Sequence, residues 1–135
     1  MRAKIAQHRV NRGADWQTLE EPRDLGPVLA SVGPERLVLL ECATLWLSNH
    51  LLAGADPAAE SAGLLAALAA CAAPVVVVSN EVGWSVVPDN ALARTFRDAQ
   101  GRLNQMLAAQ AGLVVAVMAG LPLVLKGVMP PLDLP

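Results

Sequence analysis

Val75-Val76-Val77-Val78 is a run of four β-branched residues with no polar position on either face of a strand. No other segment restricts the fold as strongly. The run reads as a central strand of an α/β sheet, buried on both sides. At its end the chain turns abruptly polar, through Ser79-Asn80-Glu81-Val82-Gly83. Open α/β sheets bind ligands just outside the carboxyl ends of their strands. Leu37-Val38-Leu39-Leu40 repeats the layout and runs into Glu41-Cys42. Two apolar strands that each end in a carboxylate point to a nucleotide or metal site.

Punctuation residues divide the rest. Residues 1–12 read as a helix stopped by Gly13, and Asp24 is placed to cap a short helix over 25–31 before Gly33-Pro34. A strand over 36–41 leads into a helix over 43–53 ended by Gly54. Asp56-Pro57 is a cap followed by proline in the first turn, and opens a helix over 58–72. Pro88-Asp89-Asn90 opens the longest helix, to about Ala111, with Leu92, Phe96, Ala99, Leu103 and Leu107 on one apolar face. Gly101 in its middle costs about 1 kcal/mol relative to alanine, which suggests close packing there. Strands over 113–118 and 123–125 follow. Alternating strands and helices predict a single α/β domain over 1–135, a mostly parallel sheet with flanking helices.

Composition removes several function classes. Charged residues are 16% of the chain, below the ~25% of an average soluble protein. The formal net charge of -2 gives no general attraction to nucleic acid or acidic membranes. With no Tyr and 3% aromatic residues, stacking platforms for single strands are not expected. The apolar runs over 63–78 and 111–125 are shorter than the ~20 residues of a membrane span, and Pro74 and Pro122 interrupt them. No apolar segment follows Arg2 and Lys4, so no signal peptide is read. Cys42 and Cys71 have neither metal-ligand nor disulfide spacing, and are expected to be buried thiols in a reducing cytoplasm.

The first helix carries the most distinctive chemistry. His8 lies four residues after Lys4 and four before Arg12, so the three share a face, with Arg9 adjacent. A neutral imidazole among cations is suited to attack a phosphoryl group, because the cations hold its oxygens. A solvated basic helix with an incidental histidine fits the same pattern. Glu41 and Glu81, at strand ends, suit a magnesium ion held through water or an oriented hydroxyl; residues that favour a helix N-terminus are the alternative. Arg94, Arg97, Asp98, Arg102, Asn104 and Gln105 read as the wet side of the long helix. His50 has no obvious partner, and Ser79 lacks the flanking glycines of a nucleophile elbow.

Four segments together carry a resemblance: KIAQHRVNRGADWQTLEEP from Lys4, VLLECATLWLSN from Val38, VVVVSNEVGWSVVPDNALARTFRDAQGRLNQ from Val75, and VVAVMAGLPLVLKG from Val114. They resemble the bifunctional adenosylcobinamide kinase / adenosylcobinamide-phosphate guanylyltransferase family of cobalamin biosynthesis, nearly end to end. The resemblance implies two steps. A nucleoside triphosphate, ATP or GTP, phosphorylates adenosylcobinamide. GTP then guanylylates a histidine, which passes GMP to the new phosphate. The family's motif places that histidine on His8, with Trp16 and Glu20 following. It implies nucleotide contacts from Arg9, Val10, Asn11, Arg12, Glu20 and Glu41, with Glu81 as a further site carboxylate. It also implies Mg²⁺, with Glu41 reaching it through water, and association into homotrimers.

One departure is large. Family members carry a G-G-x-R-S-G-K-S loop on a first strand, whereas these residues contain no G-x-x-x-x-G-K, and their only lysines are Lys4 and Lys126. The implied fold is therefore a P-loop NTPase (RecA-like) domain truncated at the N-terminus, its first two strands absent. Impaired activity, a misplaced start, or a non-catalytic remnant acting as an assembly module are the expectations attached to that departure.

Overall fold

The computed structural model describes Gln7, Val10 and residues 13–131. The element order is α1 (Leu25–Ala30), β1 (Val38–Glu41), α2 (Ala43–Leu52), α3 (Pro57–Ala70), β2 (Val75–Val78), α4 (Ala91–Gln110), β3 (Val114–Met118) and β4 (Leu121–Lys126). Two helix starts follow the sequence reading closely. Asp56 accepts hydrogen bonds from the Ala58 and Ala59 amides at 3.2 and 3.4 Å, with Pro57 in the first turn. Asn90 Oδ1 accepts from the Ala93 amide at 2.8 Å and starts α4. Asp24 stands at the cap position of α1 without a side-chain cap bond. Glu21 Oε1 instead fixes the turn just before the helix, accepting from the amides of Arg23 and Asp24 at 3.0 and 2.9 Å.

The strands depart from the expected single sheet. β1 and β2 pair in parallel, in the register Val38 to Val75 through Glu41 to Val78. β3 and β4 form a separate antiparallel pair. Only Ala119 and Gly120 separate them, both at positive φ, 52° and 74°, the backbone of a tight primed hairpin turn. A parallel crossover needs a dozen or more residues, so two residues force the antiparallel return. Pro122 is accommodated because a two-stranded ribbon always has a free edge.

The core lies on one face of the parallel pair. Leu29, Leu40, Ala43, Trp46, Leu47, Leu64 and Leu103 form it, with Val75 and Val77 packed against them. β2 is thus not buried on both sides. Val76 is 50% exposed and Val78 is also exposed, because the side chains that alternate away from the core meet no covering helix among the described residues. Along α4 the stripe holds at Phe96, Ala99, Leu103 and Leu107 and fails at Leu92, which is exposed. Gly101 is not a close-packing site: a Cβ built there would meet nothing within 4 Å.

Tertiary hydrogen bonds fix two joints. Lys126 Nζ donates to the carbonyls of Ala108 and Ala109, both at 2.9 Å. A cation there caps the last turn of α4 and opposes its dipole. Gly127, at φ 79°, lies so close to the Gly112 carbonyl that a Cβ would collide with it. At the other joint, the Arg23 carbonyl accepts from Trp46 Nε1 at 2.9 Å and meets His50 Nε2 at 3.2 Å. His50 also lies 3.4 Å from Glu60 through Nδ1 and stacks edge-on against Trp46. It has partners on α3 and on the strip before α1, contrary to the sequence reading. Both cysteines are half-buried rather than buried. Cys42 Sγ accepts from the Leu45 amide at 3.4 Å, and the Cys71 thiol donates to the Leu29 carbonyl at 3.4 Å.

Candidate functional site

Parallel pairing brings the carboxyl ends of β1 and β2 to the same edge, so Glu41 and the Ser79-Asn80-Glu81 turn leave the sheet side by side. Two contacts tie them together. The Asn80 amide donates to Thr44 Oγ1 at 2.8 Å, and Asn80 Nδ2 reaches Cys42 Sγ at 4.0 Å. The first turn of α2 and the exit of β2 are thereby joined at the strand ends.

The long helix α4 supplies its third side, through residues that the sequence reading left as a solvated face. Asn104 uses its whole amide. Its Nδ2 donates to the Asn80 carbonyl and to Glu81 Oε1, each at 3.1 Å. Its Oδ1 accepts from Ser79 Oγ at 2.6 Å and from Gln100 Nε2 at 2.9 Å. Gln100 Nε2 also donates to Ser79 Oγ at 2.9 Å. Gln100 is fully buried, and its Oε1 has no hydrogen-bond partner among the described residues. Leaving a buried carbonyl unpaired costs about 1–3 kcal/mol, a cost set against the bonds that fix the turn. Ser79 is thus a structural hydroxyl, in keeping with its missing nucleophile elbow.

Beyond this network lies an open cleft of about 380 Å³. Glu81, Val82 and Gly83 line it from the β2 exit, and Arg97, Asp98, Gly101, Arg102 and Gln105 from α4. Arg97 Nη2 donates to the Gly83 carbonyl at 2.8 Å and so links the walls. Arg94 faces elsewhere, donating to the Pro88 carbonyl at 3.0 Å. Helical spacing explains the grouping: Arg97, Gly101 and Gln105 follow one another at four-residue steps, and Asp98 and Arg102 form a neighbouring row. With no side chain at Gly101 the floor stays open.

The remaining sequence-derived candidates are distributed as follows. His8, Arg9, Asn11 and Arg12 lie outside the described residues. Val10 is helical and 76% exposed. Glu20 is exposed on the extended stretch before α1. Among the described residues no group of three or more His, Cys, Asp or Glu side chains could hold a metal ion. Mg²⁺ arriving on nucleotide phosphates keeps several waters and needs only one or two protein carboxylates. The exposed carboxylate of Glu41 fits that limited role. Gln100 and Asn104, one turn apart on α4, form a network that sequence reasoning missed, and their spacing alone is equally that of a solvated face. No helix among the described residues is long and apolar enough to cross a membrane.

Comparison with known proteins gives the family. Residues 1–125 match the family model described as cobinamide kinase / cobinamide phosphate guanyltransferase. The chain is 39% identical to the bifunctional adenosylcobalamin biosynthesis protein CobU of Escherichia coli, over 93% of this chain and 78% of that protein. It is 42% identical to the CobP protein of the same description from Pseudomonas aeruginosa, over 94% of this chain and 75% of the relative. The CobU protein of Salmonella typhimurium is also 42% identical, over 93% and 78%. The chain belongs to the cobinamide kinase / cobinamide phosphate guanyltransferase family.

Proposed function

We propose that this chain carries out the guanylyl-transfer chemistry of cobalamin biosynthesis, with His8 as the nucleophile. An imidazole nitrogen of His8 attacks the α-phosphorus of GTP, an N–P bond forms, and the bond to the β-phosphate breaks to release pyrophosphate. A phosphate oxygen of adenosylcobinamide phosphate then attacks the same phosphorus. The N–P bond breaks, and adenosylcobinamide-GDP leaves. Arg9 and Arg12, with Val10 and Asn11 between them, hold the nucleotide phosphates, and Glu20 and Glu41 complete the nucleotide contacts. Mg²⁺, when bound, offsets the phosphate charge; Glu41 meets it through water. The preceding phosphorylation of adenosylcobinamide by ATP or GTP belongs to the same family chemistry.

The observation that carries this reading is the family match over residues 1–125, together with the paired strand ends at Glu41 and Glu81. No G-x-x-x-x-G-K occurs in these residues, so the backbone cradle for the β- and γ-phosphates is not among them. The test is incubation with α-labelled GTP and Mg²⁺, followed by acid and base treatment. An acid-labile, base-stable label that disappears in His8→Asn supports the reading; a label unchanged by that substitution defeats it. Association into trimers, also proposed from the family, is read by light scattering, and a monomer would refute it.

A further inference from the structure

We propose that the cleft between the β2 exit and α4 is the acceptor site, where the phosphate-bearing arm of a phosphorylated corrinoid binds. The inference rests on the guanylyl-transfer reading above, which requires such an acceptor.

The charges in the cleft select this class of ligand. Arg102 lines it and makes no hydrogen bond or ion pair among the described residues. Arg97 spends one donor on Gly83 and is thereby held in place, with four donors left. Two guanidinium groups match one phosphomonoester dianion. Glu81 and Asp98 stand beside them, so two cations face two carboxylates. That balance leaves no surplus positive charge for a triphosphate, which also finds no backbone amide cradle here. It suits a ligand that combines a single phosphate with carboxamide groups, whose N–H donors the carboxylates and Gln105 can meet. A corrinoid carries such amides around its ring.

The adjoining loop adds the apolar element. Trp84 follows Gly83 directly and is 73% exposed, with Val86 and Val87 also exposed. An uncovered indole beside a polar cleft offers a face to a flat macrocycle. Asn104 fixes the Glu81 wall through the bonds already described, which makes it a positioning residue for the cleft.

Equilibrium dialysis of the full chain tests the assignment, with adenosylcobinamide phosphate and adenosylcobinamide compared by corrinoid absorbance. The phosphorylated form should bind about tenfold tighter, the worth of one charge-assisted contact. Arg102→Gln should remove most of that preference while leaving the affinity for unphosphorylated adenosylcobinamide in place, which a general loss of structure would not do. Equal binding of the two corrinoids would overturn the proposal. So would a preference that survives in both Arg102→Gln and Arg97→Gln, or displacement of the corrinoid by GMP alone. Labelling of His8 is a separate measurement. Its failure with the phosphate preference intact would remove the guanylyl-histidine reading and leave the cleft assignment standing.

Discussion

Asn104 Nδ2 donates to Glu81 Oε1 at 3.1 Å and so ties the middle of the longest helix to the turn after the valine strand. The same amide group holds the Asn80 carbonyl, while its oxygen accepts from Ser79 and Gln100. Asn104→Leu would strand four polar partners at once. Its expected cost is about 1–2 kcal/mol, from two part-buried and two exposed hydrogen bonds lost together, read as a lower midpoint in urea unfolding. Asn104→Asp should cost a comparable amount, because it replaces the donor with a carboxylate facing Glu81. An unchanged midpoint in both would show that the network bears no load.

His50 is the second polar anchor. It is buried, and it joins α2 to Glu60 on α3 and to the Arg23 carbonyl. His50→Ala should destabilise by about 2 kcal/mol through lost packing and a stranded carbonyl. Glu60→Gln, at a partly exposed position, should cost less than about 1 kcal/mol. Thermal unfolding of the two variants side by side checks the ranking.

Much of this framework can be read directly from local sequence. Asp56-Pro57, Asn90 and the valines of β2 announce their elements because caps and β-branching act within a few residues. The β3–β4 hairpin was harder, because Pro122 looks like a strand breaker and hides how short the Ala119-Gly120 link is. Gln100 and Asn104 sit in a helix whose neighbours are charged, and nothing local distinguishes a buried amide from a wet one there. The partner of His50 lies on another helix, ten residues downstream, and only tertiary packing brings them together.

At the hairpin tip, Ala119 occupies φ 52°, where its Cβ crowds the following carbonyl. Asparagine adopts this region more readily and suits the first position of an Asn-Gly turn. Ala119→Asn should therefore stabilise by about 0.5–1 kcal/mol, measured as a raised unfolding midpoint with an unchanged denaturant slope.

Glu21 should contribute acid sensitivity. Hydrogen bonds from the Arg23 and Asp24 amides hold its carboxyl below its ordinary value of 4.5. A group depressed in the folded state stabilises above its unfolded value, and that contribution fades as pH falls through the folded one. Glu21→Gln should lower stability at neutral pH, where the carboxylate's contribution is fully present, and converge with the parent as pH falls below about 4.5, flattening that part of the profile, as followed by acid titration of the fluorescence of Trp46, whose Nε1 donates to the Arg23 carbonyl.

Gly101 sets helix stability against an open cleft. Gly101→Ala should stabilise α4 by about 1 kcal/mol, since its new methyl meets no neighbour within 4 Å. The same methyl protrudes into the cleft floor, so corrinoid affinity should fall as the melting temperature rises. Dialysis and thermal unfolding of one variant measure both.

Lys126 gives amine chemistry an unexpected reach in this molecule. Only Lys4 and Lys126 carry side-chain amines, and the second holds the final carbonyls of α4. Acylating reagents, succinimidyl dyes or acetylation would neutralise that ammonium and release the hairpin from the helix end. A fluorophore attached this way would report on a protein it had already loosened, whereas attachment through a thiol would leave that joint intact.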